Sequence, residues 1–252
     1  MVGPAAGDRG GVSHPEVRVS VTARQGRAAA LGPAGPGRAA APARHFQTGP
    51  GQYGEGDTFV GVTVPAVRAV VRASRGLALP EVSRLLDDPV HEVRLAGLLL
   101  LVHHARTAPG DALTCYLDAL GRGSVNGWDL VDSSARDVLG APLRDGDRSV
   151  LHRLAASDSV WERRAAGVAT FAVLPDGDAS TSLALAESLL GDPHPLIHKA
   201  VGWVLREVGA RVDQTALLGF LDRHAAAMPR VMLAYATEHL DREVRAHYRA
   251  LR

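Results

Sequence analysis

From Pro65 to the end of the chain, apolar residues recur at spacings of three and four, and strict alternation is scarce. The pattern predicts helices near 65–76, 80–87, 90–107, 110–121, 126–139, 147–156, 159–174, 178–191, 194–209, 214–226 and 229–250. The breaks between them carry Gly, Pro or Asp, as in "LPEV", "DDPV", "GRGS", "RDGDR", "LPDGDAS" and "GDPHP". Residues 1–44 follow another rule. Gly, Ala, Pro and Arg dominate them, as in "AAALGPAGPGRAAAPAR", so this segment reads as low-complexity and mostly disordered, with room for a helical turn or two around Val17 to Ala30. The character changes at His45. The glycines of "HFQTGPGQYGEGDTFVGVTVP" mark a structured loop, and Val64-Pro65 opens a helix with Pro at a favourable first-turn position. The folded domain is therefore expected over 45–252.

The predicted helices repeat. Asp88, Ser124, Asp158 and Asp192 each precede one, at steps of 36, 34 and 34 residues. Three of these segments share detail: "DPVHEVRLAG", "DSVWERRAAG" and "DPHPLIHKAVG". Arg94 and Arg164 stand six places after their Asp, and His198 takes that place in the third. Asp or Ser before the helix is expected to act as N-cap, and Ala or Gly permits close helix packing. A two-helix unit of this period predicts an all-α chain, an α-solenoid of HEAT-like repeats with a concave binding face. Such a scaffold says only that something is bound, so function must come from the residues on that face.

Composition narrows the classes. At 46% hydrophobic residues the chain can bury a sizeable core, while aromatics at 4% are scarce enough that Trp128, Trp161 and Trp203 each need a reason. Lys199 is the only lysine; a chain this rich in Arg, Ala and Gly carries a coding bias that discounts Arg counts as a functional signal. Net charge is +1, with six Arg against Asp8 and Glu16 in residues 1–44, leaving 22 basic against 25 acidic residues in the body. That balance argues against a uniformly basic nucleic-acid binder, so any phosphate-binding surface must arise from local segregation of charge. Cys115 is the only cysteine, which excludes an internal disulfide and a multi-Cys zinc site and points to a reducing compartment. The longest apolar run, Leu98 to Val102, falls far short of the roughly 20 residues of a spanning helix, and the opening residues lack a signal peptide's apolar core. The expectation is a cytoplasmic protein without membrane contact.

The least ordinary stretch is "NGWDLVD". Trp128 and Asp132 stand at i and i+4, on one helix face, and Asp132 falls mid-helix, where it has poor propensity and no capping role. By repeat register Trp203, eleven places beyond Asp192, lies on roughly the same face and could converge with them across the stack. Arg164 sits about 160° from that face by 3.6-residue geometry, so register excludes it unless its helix shifts. Core packing is the ordinary explanation for a Trp, and pairing with acidic neighbours the ordinary one for Arg94 and Arg164. Other candidates are weaker. His194 and His198 have an HxxxH spacing without the Glu of a zincin, and His103-His104 lack a third ligand. "GPGQYGEGD" has the glycines of a phosphate loop but not its Lys-Ser/Thr, and Cys115 has no adjacent base.

With these residues in view, the chain from about His45 to Leu251 resembles the AlkD-like DNA alkylation repair proteins, which are HEAT-like-repeat DNA glycosylases. The matching blocks are "FQTGPGQYGEGDTFVGVTVP", "HEVRLAGLLLLV", "NGWDLVDSSARDVLG", "SDSVWERRAAGVAT", "HPLIHKAVGWVLREVG" and "MPRVMLAYATEHL", in order over roughly 200 residues. The resemblance implies hydrolysis of the N-glycosidic bond of positively charged alkylpurines, 3-methyladenine and 7-methylguanine, in base excision repair, without a deep base-flipping pocket. The family's W-x-x-x-D pair maps to Trp128 and Asp132, the Arg of its W-x-x-R segment to Arg164, and the Trp of its K-A-x-G-W to Trp203. Asp132 would stabilise the developing sugar cation, Trp128 and Trp203 would offer their faces to it, and Arg164 would hold a backbone phosphate. Arg163 is a neighbour that the spacing disfavours. The implied partner is double-stranded DNA containing alkylated bases, acted on by a monomer without cofactor or metal. One departure stands at the N-terminus, where the family's amphipathic lead helix is replaced by "GRAAALGPAGPGRAAAPAR". Two other classes remain: a non-catalytic HEAT-repeat protein for bent or branched DNA, and a protein-binding scaffold.

Overall fold

The computed structural model describes residues 22–32, 34, 37 and 39–251. Fourteen α-helices are placed among them, and no strand beyond a single Thr58–Val90 bridge. The chain begins with α1 (Ala23–Leu31) and α2 (Ala40–His45) and, after a glycine-rich loop, α3 (Val64–Ala73). Helical pairs follow: α4 (Leu79–Leu86) with α5 (His91–His104), and α6 (Pro109–Gly121) with α7 (Trp128–Asp132). The next are α8 (Ser149–Ala155) with α9 (Val160–Ala169), α10 (Ser180–Ser188) with α11 (Pro195–Arg211), and α12 (Gln214–His224) with α13 (Arg230–Ala236). The last helix is α14 (Arg242–Ala250).

The second helices stack side by side: α5 touches α7, α7 touches α9, α9 touches α11 and α11 touches α13. No unit can cover its own apolar stripe, so one core runs along the array from Val67 and Leu85 through Leu130 and Ala165 to Leu221 and Met232. Helix α5 shows the result, with ten of its fourteen residues buried, including His91, Glu92 and Arg94. Close approach is set by glycine where helices of neighbouring units meet. A Cβ on Gly202 of α11 would lie 2.5 Å from the Met232 carbonyl oxygen on α13.

Three expectations need correction. Helix 126–139 is broken: α7 ends at Asp132, and after a turn residues Arg136–Gly140 form a π-helical turn. The buried Ser134 hydroxyl donates to the Leu130 carbonyl (2.6 Å), a local bond that competes with helix continuation. At Gly140 the backbone comes so near the Ala169 carbonyl that no side chain could fit. Helix 229–250 is likewise two helices, parted after Thr237, whose buried hydroxyl bonds back to Leu233 without any Gly or Pro to announce the break. Within the segment read as mostly disordered, the turn or two allowed around Val17 to Ala30 is the helix Ala23–Leu31, with Thr22 and Gln25 closing a capping box and Ala30 fully buried, and Ala40–His45 is helical as well, against that reading. That reading over residues 1–21, 33, 35, 36 and 38 lies outside the described residues.

The expected aspartate caps are also displaced. Asp88 and Asp192 accept from backbone N–H groups two residues on, Val90 (2.9 Å) and His194 (2.8 Å), making turns ahead of helices capped by other residues. Ser159 caps α9 in place of Asp158, and Gly127 stands before α7.

Candidate functional site

Trp128 and Asp132 open and close the five-residue helix α7, and both line a hollow of about 420 Å³ on the layer of second helices. Arg164 from α9, Trp203 from α11 and Tyr235 from α13 line it too, with His45, Gln47 and Tyr53 from the N-terminal side. A second hollow, of about 500 Å³, shares Asp132 and Trp203, which therefore stand on the ridge between the two. The Trp128–Asp132–Trp203 convergence expected from repeat register is present.

Arg164 joins them by the helix shift that register reasoning required. Its Nε donates to Asp132 Oδ1 at 2.9 Å and its Nη2 to Oδ2 at 2.8 Å, a bidentate pair, while Nη1 donates to the Leu196 carbonyl at 2.6 Å. The reason lies in a one-residue offset of the middle repeat: α9 begins two residues after Asp158, whereas α5 and α11 begin three residues after Asp88 and Asp192. Four residues after the N-caps of the flanking units, Arg94 donates to the Asp88 carbonyl (2.8 Å) and His198 to the Asp192 carbonyl (2.6 Å). In the middle unit Arg163 takes that task, donating to the carbonyls of Ser157 and Asp158 at 2.9 Å and pairing with Asp192. Arg164 is thereby released to reach across to α7. The helix shift that register reasoning required is thus present: Ser157 accepts from the Ser159 N–H (3.0 Å) where Asp88 and Asp192 accept from Val90 and His194, and Arg164 falls one residue further round its helix.

The pair is unequally covered: the Arg164 side chain is 6% exposed and that of Asp132 21%. Arg164 satisfies one lone pair on each carboxylate oxygen, so the outward pair faces the hollow with no other partner among the described residues. Burial pushes the Asp132 carboxyl above its ordinary range; hydrogen bonding and charge from Arg164 pull it back, and Asp129 adds to the rise.

The aromatic walls are built differently. Trp128 is half-buried and lies outside the apolar core, stacked on Phe46 with centroids 5.1 Å apart and meeting His45 edge-on at 5.6 Å. Trp203 packs against the core, edge-on to Phe171 at 4.6 Å, and its indole N–H donates to Glu207 (3.3 Å). The third, Trp161, meets Tyr53 edge-on at 6.0 Å. The Tyr53 hydroxyl donates to the His45 carbonyl at 3.3 Å, and burial raises its pKa against the opposing hydrogen bond from Trp128.

Behind Trp128 sits a network that sequence reasoning missed. His91, 2% exposed, is bonded through Nδ1 to Asp57 (2.6 Å) and through Nε2 to Asp129 (2.9 Å), the residue next to Trp128. Arg94 closes the group on Asp57 (2.6 Å) and on Asn126 (2.9 Å). Burial alone would push the His91 imidazole down, but Asp129 and Asp57 together raise it to about 9, so it is an imidazolium at neutral pH. Its ring stacks on Phe59 at 4.3 Å, and Phe46 lies against both that ring and Trp128. Next along the chain, the Glu92 carboxylate accepts from the backbone N–H groups of Val60, Gly61 and Val62. The loop 46–62 is thus fastened to α5 and α7 at its far end. Its glycines were legible; the ion group that holds it joins residues 57, 91, 94, 126 and 129, a distance no spacing rule bridges.

The weaker candidates have structural tasks. His194 Nδ1 caps α11 by accepting from Leu196 N–H, and burial lowers its pKa. Cys115 is a half-buried thiol whose pKa burial raises. Among the described residues no helix is long and apolar enough to cross a membrane.

No curated protein matches the chain in sequence. In fold it is similar to a solved structure described as a predicted DNA alkylation repair enzyme from Enterococcus faecalis, at 13% identity and a TM-score of 0.66, over 83% of this chain and 97% of that one. The family model for DNA alkylation repair enzymes matches residues 30–240, which take in the loop, the ion network and all four residues around the hollow. By that match the chain belongs to the DNA alkylation repair enzyme family, and its role lies in the repair of alkylated DNA.

Proposed function

We propose that the protein is a DNA glycosylase that releases positively charged alkylpurines, 3-methyladenine and 7-methylguanine, from double-stranded DNA by hydrolysis of the N-glycosidic bond. The observation that carries this reading is a carboxylate, Asp132, locked by Arg164 and aimed into an open hollow between two indole rings. An alkylated purine already bears positive charge, so it departs with the bonding electron pair as a neutral base and needs no general acid. The deoxyribose left behind becomes an oxocarbenium ion, which water attacks at C1′ with loss of a proton. Asp132 stabilises that cation and orients the water. Trp128 and Trp203 present electron-rich faces to it. Enzymes that extrude their target base enclose it in a snug pocket; an open groove suits engagement of sugar and phosphate with the base left stacked. Neutral lesions, whose bases leave poorly, then react slowly.

The test incubates the protein with methylated duplex DNA and measures the released bases. Wild type releases 3-methyladenine and 7-methylguanine. Asp132→Asn, isosteric but without charge, loses about 10²-fold in rate while still binding DNA. Binding without release by wild type would favour a non-catalytic DNA-binding protein; equal release by Asp132→Asn would remove the role given to that residue.

A further inference from the structure

Three cations line the hollow that holds Asp132: Arg164, Arg206 and Lys199. Two of them are committed. Arg164 is buried, with Nε, Nη1 and Nη2 each donating inside the protein, two of them to Asp132 and one to the Leu196 carbonyl. Arg206 is held between Glu207 and Glu238. Lys199 is different. It is exposed, and among the described residues it has neither an ion-pair nor a hydrogen-bond partner. It stands on α11 one turn before Trp203 and three residues after Leu196, whose carbonyl anchors Arg164. Its backbone root therefore lies between the Asp132–Arg164 pair and the second indole. It is also the only lysine in a chain with 27 arginines, so the composition that produced the arginines did not supply it.

An uncompensated ammonium beside a fixed carboxylate and two aromatic faces calls for an anion close to whatever cation the carboxylate serves. In a DNA strand that anion is the phosphodiester, one bond set away from the sugar. A lysine suits it as a mobile point charge with three donors, which does not need the planar, two-toothed geometry of a guanidinium. We infer that Lys199 holds the phosphodiester flanking the lesion nucleotide, and that Arg164 is a positioning residue for Asp132 without a phosphate contact. This rests on the reading of the hollow as a DNA site, and it replaces the phosphate role that family resemblance assigns to Arg164.

Binding rather than catalysis tests it. The full chain is titrated against a fluorescent duplex carrying one tetrahydrofuran abasic-site analogue, over a series of KCl concentrations. Lys199→Gln, a good helix former at an exposed position, weakens binding about tenfold. It also lowers the slope of log K against log salt by about 0.9, the signature of one lost phosphate contact. Lys199→Arg restores the slope. Replacing the phosphates flanking the analogue by neutral methylphosphonates weakens wild-type binding but leaves Lys199→Gln unaffected. Arg164→Gln keeps the wild-type salt slope. An unchanged slope in Lys199→Gln, or equal sensitivity of wild type and variant to the methylphosphonates, would overturn the assignment. A wild type that shows these binding effects yet releases no alkylpurine would overturn the glycosylase reading and leave Lys199 in place.

Discussion

Asp132 feels two opposed influences, burial raising its pKa and Arg164 lowering it, and the balance sets the acid side of any activity that needs the carboxylate. A rate that depends on ionised Asp132 falls as pH drops through that raised pKa. Arg164→Gln removes the lowering influence, so the acid limb of base release should move to higher pH as well as lose rate. An acid limb that stays in place in this variant would mean that Arg164 does not govern the carboxylate. The same residue shows how a repeat can be read correctly and still mislead. The sixth position after the aspartate is structural in the flanking units, as Arg94 and His198 demonstrate. Arg163 holds that place in the middle unit because α9 begins one residue early, an offset that the aspartate spacing conceals.

Helix α7 is short, ends at Asp132 and runs into a π-helical turn, so its bearing depends on neighbours more than on its own hydrogen bonds. The Asp57–His91–Asp129 group is one of those restraints. His91→Ala leaves Asp57 and Asp129 without their shared cation and should cost about 3 kcal/mol in denaturant unfolding at neutral pH. The pH sign follows from the raised pKa. Its contribution is complete below the ordinary histidine value of about 6.5 and is lost as pH rises through about 9. The stability gap between wild type and His91→Ala should therefore narrow from pH 7 to 10, and a gap independent of pH would contradict the imidazolium. The α11–α13 contact gives a second check. Gly202→Ala would press a methyl group onto Met232 and Tyr235 and should cost about 2 kcal/mol. It should also reduce activity by displacing the adjacent Trp203; a variant with wild-type stability would show that this contact yields easily.

For the whole molecule, the stack of second helices is what lets residues from α7, α9, α11 and α13 share one hollow, so stability and function are linked along the array. The first unit needs its lead helix. On α1, Ala30 is fully buried, Gly26 approaches Leu85 and Leu77, Arg27 pairs with Asp88 at 2.5 Å, and the Ala23 N–H donates to Glu81. Removing residues 1–38 should cost about 2 kcal/mol or more of stability by uncovering that apolar surface. Unchanged thermal unfolding would show that α1 is dispensable. In the sequence this helix showed only as a possible turn or two around Val17 to Ala30, because short Ala- and Gly-rich segments carry little amphipathic signal and gain their stability from docking.

Local physics made much of the protein legible. The 3.6-residue period, the breaks and the 34- to 36-residue repeat sufficed for an all-α solenoid, because each depends on neighbours in sequence or on one repeated interface. The i, i+4 spacing of Trp128 and Asp132, and the register of Trp203, followed from the same regularity. What the tertiary structure alone decided were departures from that regularity: the end of α7 at Asp132, the one-residue offset of α9 that turns Arg164 toward α7, and the His91 group behind Trp128. Each is set by contacts between residues about 30 or more positions apart or by competition for one carbonyl. Periodicity carries no information about either, since it records which face a residue occupies and not which partner that face meets.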